Sequence, residues 1–223
     1  MQVGERQLVL SNLDKPLYPS GYTKGEVVRY YTHVAPLLLP HISRRPITMV
    51  RFPDGTGGEA FFEKNLPRGA PDWVQTVTLP SSGSRSGRGP GTITYALIED
   101  LPSLVWAANL AALELHVHQW TVGPGPKRLA PDQLVFDLDP GEGASVVECC
   151  RVAERLLEVL TADGLTPLPK TSGSKGLQVS CGSVSAGPSG PPPTPRRSPN
   201  SSPPRCPTSW SSRWRRTCAR AAC

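Results

Sequence analysis

Apolar and polar residues follow two rhythms along this chain, and the switches between them lay out its elements. Short strands are expected over residues 7–11, 47–52, 60–64, 74–79 and 92–98. Leu113 to Trp120 alternates cleanly and reads as another strand. A helical rhythm runs through Val27, Val28, Tyr30, Tyr31, Val34 and Leu37 to Pro40. Thr23 and Glu26 stand three apart at its start, the spacing of a capping box. Ser103 is placed to cap a second helix containing Leu104, Val105, Ala108, Leu110 and Ala111. Val146, Cys149, Cys150, Ala153, Leu156, Leu157 and Leu160 form the stripe of a third, from Ser145 to Ala162, and Gly164 follows as its terminating glycine. A weak strand over 165–169 and another over 177–179 complete the patterned part.

One strand carries chemistry. In residues 134–139, Leu134, Phe136 and Leu138 point to one face, and Val135, Asp137 and Asp139 to the other. Pro140 and Gly141 then stop it, so the two carboxylates share one face at its open end. Such a pair repels itself unless a cation lies between its members, and hard divalent cations take oxygen ligands. Two solvated acids at a strand end remain the alternative. The apolar run around them argues for a central strand.

Five other places bear on function, each with a plain structural reading beside it. Asn12, Asp14 and Lys15 sit in a polar loop before the first helix, and Lys24 opens that helix. A helix N-terminus with two lysines suits a phosphate; two ordinary surface lysines would look the same. Phe61 and Phe62 point to opposite faces, so one ring can stay exposed to stack on a base, or both can be buried. Glu114, His116 and His118 share a face, either as hydrogen-bonded structural groups or as nucleotide contacts near a metal-bound phosphate. Thr171-Ser172-Gly173-Ser174-Lys175-Gly176 is a polar turn between strands whose small residues, hydroxyls and lysine can cradle a phosphate; it lacks the spacing of a P-loop. Arg85 and Arg88, in a Gly/Ser-rich loop, either reach a phosphate backbone or are solvated.

Charge narrows the picture. The chain has 223 residues with 24 Lys+Arg and 18 Asp+Glu. Seven arginines lie in 180–223, leaving 17 basic groups against 18 acidic ones before it. The patterned part is therefore not a general nucleic-acid sponge. Cys149 and Cys150 are expected in a helix core; Cys181, Cys206, Cys218 and Cys223 show neither a zinc pattern nor a disulfide framework. No signal peptide or long apolar run is present, which predicts a cytoplasmic protein with no membrane partner.

Five motifs occur together: Asp-Lys-Pro-Leu-Tyr-Pro at 14–19, Ala-Phe-Phe-Glu-Lys at 60–64, Glu-Leu-His-Val at 114–117, Asp-Leu-Asp-Pro-Gly-Glu-Gly at 137–143 and Thr-Ser-Gly-Ser-Lys-Gly-Leu at 171–177. Together they resemble the polymerase domain of bacterial ATP-dependent DNA ligase D, of the archaeo-eukaryotic primase superfamily, over about residues 7–179. The resemblance implies an α+β fold with an RRM-like catalytic sheet. It implies a primase-like nucleotidyltransferase of non-homologous end joining that fills or extends DNA ends. Asp137 and Asp139 would hold two metal ions, Mn2+ or Mg2+. His116 would contact the incoming nucleoside triphosphate; Ser172, Gly173, Ser174 and Lys175 its phosphates; Phe61 and Phe62 the bases. Asn12, Lys15 and Lys24 would bind the 5′-phosphate of a DNA end. His118 has no family role and is read as structural. Ku and a ligase domain are the expected partners, and the protein would join the nucleoid when bound to DNA.

Residues 180–223 depart from the family. They contain nine prolines and no Leu, Ile, Phe, Tyr, Lys, Asp or Glu, too little apolar content to offset the entropy of ordering. The family pattern continues here with further strands and a third metal-binding aspartate, yet no acid follows Asp163. The domain is expected to end at 179, incomplete. The tail reads as an out-of-frame translation, with a genuine disordered basic tail as the alternative. Two other functions stay open: a DNA-end-binding module without chemistry, and a stand-alone primase-like enzyme.

Overall fold

The computed structural model describes residues 1–81, 91–173 and 175–182. Arg85, Arg88, Ser174 and the tail from residue 183, with Cys206, Cys218 and Cys223, lie outside the described residues. The chain forms two compact units, Met1–Pro131 and Asp132–Cys223.

The first unit opens with a hairpin of β1 (Gln2–Val3) and β2 (Arg6–Gln7). The strand expected over 7–11 is thus confined to its first residue. Leu8 instead turns into the core, with its amide on the carbonyl of Met1. Helix α1 (Lys24–Ile42) begins as its sequence predicts. Thr23 Oγ1 accepts from the Glu26 amide, and the Glu26 carboxylate accepts from the Thr23 amide at 2.7 Å. The helix runs past Pro36 and Pro40 to Ile42, beyond the expected stop at Pro40.

The sheet of this unit is built on β3 (Ile47–Arg51). One edge pairs antiparallel with β4 (Phe61–Glu63) over Met49–Arg51 and with β6 (Gly91–Ala96) at Ile47. The other edge pairs with β7 (Ala112–Val117) along its whole length. β5 (Thr76–Ser81) extends the sheet beyond β6. Helix α2 (Leu101–Asn109) is capped by Asp100 rather than Ser103. Ser103 lies at the third helical position and closes a reciprocal box with Asp100, so the cap stands three residues earlier than expected. Ile47, Met49, Val27, Tyr31, Ile98, Leu104 and Val105 are the centre of the core. Within it the Tyr31 hydroxyl donates to the carbonyl of Ala112 at 2.9 Å.

The alternating stretch ending at Trp120 splits in two. β7 ends at Val117, and Trp120 begins β8 (Trp120–Val122), which pairs with β9 (Arg128–Pro131). The sequence pattern did not predict this hairpin. Its Trp120 joins Val77, Leu79, Leu97 and Val122 in a second apolar cluster, with Tyr95 packed alongside.

The second unit is smaller. β10 (Gln133–Leu138), β11 (Pro167–Thr171) and β12 (Leu177–Gly182) form an antiparallel sheet in the order β10, β12, β11. Helix α3 (Val146–Ala162) covers one face, with Ser145 and Glu148 forming its capping box. Leu138, Leu177, Val179, Cys181, Cys149, Ala153 and Leu160 are its core. Two expectations change here. Among the described residues β10 is an edge strand, and β12 is central. The regular fold also passes Val179: Ser180, Cys181 and Gly182 pair with Val135, Leu134 and Gln133, and Cys181 is 1% exposed. No helix among the described residues is long and apolar enough to cross a membrane.

His118 stacks on Trp120 at 4.5 Å between centroids and meets Tyr95 edge-on at 5.7 Å. Burial, then the charges of Arg128 and Lys64, push its pKa below 6.5. The folded state therefore prefers the neutral ring, and the unfolded chain takes up the proton at higher pH. Stability from this group is fully present above about pH 6.5 and is lost as the pH falls through that value towards the folded pKa. His118→Phe keeps the stack and removes the titration. We expect the fall in Tm between about pH 7 and pH 5 to be smaller in this variant than in the parent. An equal fall in both, followed by circular dichroism, would refute this account.

Candidate functional site

The candidate residues fall into two sets, one in each unit. In the first unit β3 arranges the aromatic and histidine groups. Phe62 and Glu114 both pair with Val50, and His116 pairs with Thr48. Cross-strand partners share a face, so Phe62, Glu114 and His116 stand together. The Phe62 and His116 rings meet edge-on at 6.0 Å. His116 Nε2 lies 2.7 Å from Glu114 Oε2. A carboxylate only accepts, so Nε2 carries the proton and Nδ1 is the acceptor of the neutral ring. Phe61 and Phe62 are 50% and 69% exposed. Neither enters the core, so both are available to a flat partner.

The lysines come together as well, by a different route from the one expected. Lys24 is buried; its ammonium donates to the Asn109 carbonyl at 3.1 Å and to Ser11 Oγ at 3.4 Å. Burial, then the nearby Lys15, lower its pKa. Lys15 pairs with Asp54 at 2.8 Å. Asn12 takes a positive φ of 51° at the start of this turn, and its carbonyl accepts from the Lys15 amide. The helix terminus itself offers nothing to an anion. The amides of Thr23, Lys24, Gly25 and Glu26 donate to Glu26 Oε2, the Lys15 carbonyl, the Leu13 carbonyl and Thr23 Oγ1. Any anion here would be held by side chains, the two ammonium groups foremost, rather than by these four amides.

In the second unit Asp137 is the penultimate residue of β10, on the face away from α3, and Asp139 directly follows the strand; both are exposed. Gln178, opposite Asp137 on β12, donates from Nε2 to Asp137 Oδ1 at 3.3 Å. This partner was not foreseen, because it shows only once the β10–β12 register is known. Turn 172–176 is closed by two bonds: the Ser172 amide donates to the Gly176 carbonyl, and the Gly176 amide to Ser172 Oγ, each at 3.0 Å. Gly173 adopts φ +85° at its tip. Gly176 approaches β10 so closely that a Cβ there would lie 2.6 Å from the Leu138 carbonyl oxygen and 2.7 Å from Asp139 Oδ1. The turn and Asp139 are thus in direct apposition. Lys175 and Gly173 line an open groove of about 820 Å³ with Pro140, Glu142, Ser145 and Thr171.

Asp137 and Asp139 suit a hard divalent cation in donor chemistry. In number they fall short of a closed set: among the described residues no group of three His, Cys, Asp or Glu is assembled.

The family described as LigD, primase-polymerase domain, matches residues 23–186. This chain belongs to that family. The multifunctional non-homologous end joining DNA repair protein LigD of Mycobacterium tuberculosis H37Rv is 44% identical over 181 residues, covering 78% of this chain and 23% of the relative. The bifunctional LigD of Bacillus subtilis 168 is 33% identical over 174 residues, covering 78% and 26%. Among solved structures, the polymerase domain of M. tuberculosis Ligase D in complex with DNA superposes with a TM-score of 0.71 at 42% identity. That match covers 80% of this chain and 62% of the other. The chain thus spans about a quarter of these curated relatives, and the family match runs past Val179 just as β12 does.

Gly176→Ala tests the apposition of the turn and β10. The new methyl must move the turn or the end of β10, at a cost of about 1–3 kcal/mol. We expect the urea midpoint to fall by that free energy divided by an unchanged m-value. An unchanged midpoint would show that the turn does not press on β10.

Proposed function

We propose that this chain performs template-directed nucleotidyl transfer at broken DNA ends, filling gaps and extending ends in non-homologous end joining. The observation that carries this is the apposition of a paired-carboxylate strand end and a phosphate-suited turn across Gly176, in a member of the LigD primase-polymerase family. The names of the relatives, and the DNA in the solved relative, support the same reading.

Asp137 and Asp139 would hold divalent ions, Mn2+ or Mg2+. Bound there, such ions would lower the pKa of a primer hydroxyl and neutralise a triphosphate. The chain's own residues would do the rest. Lys175 supplies a positive charge at the groove, and Ser172, Gly173 and Ser174 give the turn the small, polar backbone that a phosphate needs. His116, held in one tautomer by Glu114, offers the nucleotide its Nδ1 acceptor in a fixed orientation. Phe61 and Phe62 offer bases two exposed rings, and stacking is worth about 1–3 kcal/mol per base. Asn12, Lys15 and Lys24 would take the 5′-phosphate of a recessed end, with Lys15 exchanging Asp54 for the phosphate.

A second reading is favoured by one observation: no third carboxylate joins Asp137 and Asp139 among the described residues, and no acid follows Asp163. On that reading the chain holds DNA ends without chemistry. We also read the residues after Gly182 as an out-of-frame translation, which resequencing of the coding DNA in all three frames decides.

The test is Mn2+-dependent extension on gapped DNA with and without a 5′-phosphate. Changes beside a metal ligand already cost about 10–100-fold, so Asp137→Ala and Asp139→Ala should each lower extension by more than that. Unchanged extension would remove the carboxylates from the reaction. Binding by the parent with no incorporation would select the end-binding reading. Lys15→Ala should reduce the preference for phosphorylated ends about tenfold, or about 1.4 kcal/mol; an undiminished preference would refute the pocket.

A further inference from the structure

A group of cations beyond Phe62 and His116 has no part in the reading above. Lys64 follows β4 two residues after Phe62, and His118 follows β7 two residues after His116. Both stand one residue past their strands, towards the Ile47 end of β3. His118 is stacked on Trp120 at 4.5 Å, and the Arg128 guanidinium lies 4.6 Å over the same ring. Trp120 thus carries both groups against its ring. The charges of Lys64 and Arg128 both reach His118.

Lys64 and Arg128 are exposed, and neither pairs with a carboxylate among the described residues. Three other cations of this unit, Arg6, Lys15 and Arg51, each meet an acid. Two cations converging on one imidazole repel each other, and an anion between them relieves that repulsion. The Trp120 contact restrains an exposed guanidinium, a group whose forked N–H donors suit phosphate oxygens.

We propose that Lys64 and Arg128 anchor the phosphate backbone of a DNA strand, continuing from Phe62 and His116 along β4 and the β8–β9 hairpin. The anchor rests on the DNA-directed reading and adds to it a second contact, separate from the 5′-phosphate pocket. It carries no base specificity, because both groups reach only phosphate.

The probe is a fluorescent single-stranded oligodeoxynucleotide without a 5′-phosphate, with no divalent ion and no nucleotide present. Anisotropy is followed between about 50 and 200 mM salt. Each phosphate contact on a single strand contributes about 0.7 to the slope of log K against log salt. Lys64→Ala and Arg128→Gln should each lower the slope by about that amount, and the double variant by about twice as much. Arg128→Lys should restore it. Arg29→Ala, an exposed cation on α1, should leave the slope unchanged. Lys64 is exposed and in no ion pair among the described residues, so Lys64→Ala decides the matter even if Arg128→Gln loosens the packing on Trp120. Parent-like slopes in both single variants overturn the anchor while sparing the DNA-directed reading. An equal loss in Arg29→Ala also overturns it. If the parent does not bind the strand at all, the anchor and that reading fall together. Release of the strand by nucleoside triphosphate at concentrations that leave ionic strength unchanged would assign the two cations to nucleotide instead.

Discussion

The pairing of β3 along both its edges is the constraint on which the first unit depends. Ile47, Met49 and Val50 are 1–2% exposed, so neither face of the strand can be turned outward without loss of the core. Side chains alternate with a period of two, and a slip of one residue would send a neighbour's entire set to the opposite face. β4 and β7 inherit their registers from this strand. Phe62 and His116 therefore meet although 53 intervening residues separate them in the chain. The bulge where β7 passes Val50 and Arg51 shows that the match is not perfect to the end of the strand.

Local signals in the sequence were reliable where the interaction itself is local. Thr23 with Glu26 and Ser145 with Glu148 form the boxes that their spacing announces. Most of the stripe of α3 lies against the sheet, with Cys149 in its core, but Val146 and Cys150, expected in that stripe, are exposed. Asp137 and the turn at 172–176 occupy the strand end and the hairpin tip where the pattern put them. In α2 the pattern erred because two residues of a reciprocal box look alike: Asp100 and Ser103 each bond the other's backbone, and only the chain direction makes Asp100 the cap. At β12 the proline-rich composition beyond it obscured an alternation, Leu177, Val179 and Cys181, that continues to Gly182.

Long-range partners could not be read in the same way. Nothing near Lys24 in sequence says that Asn109 will receive its ammonium, or that Asp54 will receive that of Lys15. Nor does a helix start reveal that its own loop will use up its amides. This changes the chemistry of the proposed 5′-phosphate pocket. A cradle of amides binds through fixed dipoles and tolerates salt, whereas two ammonium groups, one half-exposed, bind through charge that salt screens. The tautomer of His116 and the hydrogen bond from Gln178 to Asp137 belong to the same class, since both emerge only from strand register.

Gly176 acts on more than the space beside Asp139. The β11–β12 hairpin could in principle slide along β10, as antiparallel strands with few distinctive contacts tend to do. Only a glycine can face the Leu138 carbonyl at this distance, and the residues on either side of Gly176 both carry a Cβ. Moving the strand by one position would bring Lys175 or Leu177 to that point and drive a side chain into the backbone. The glycine is thus a steric index mark: it sets which residue of β12 stands opposite each residue of β10, and with it the spacing between lysine and carboxylates.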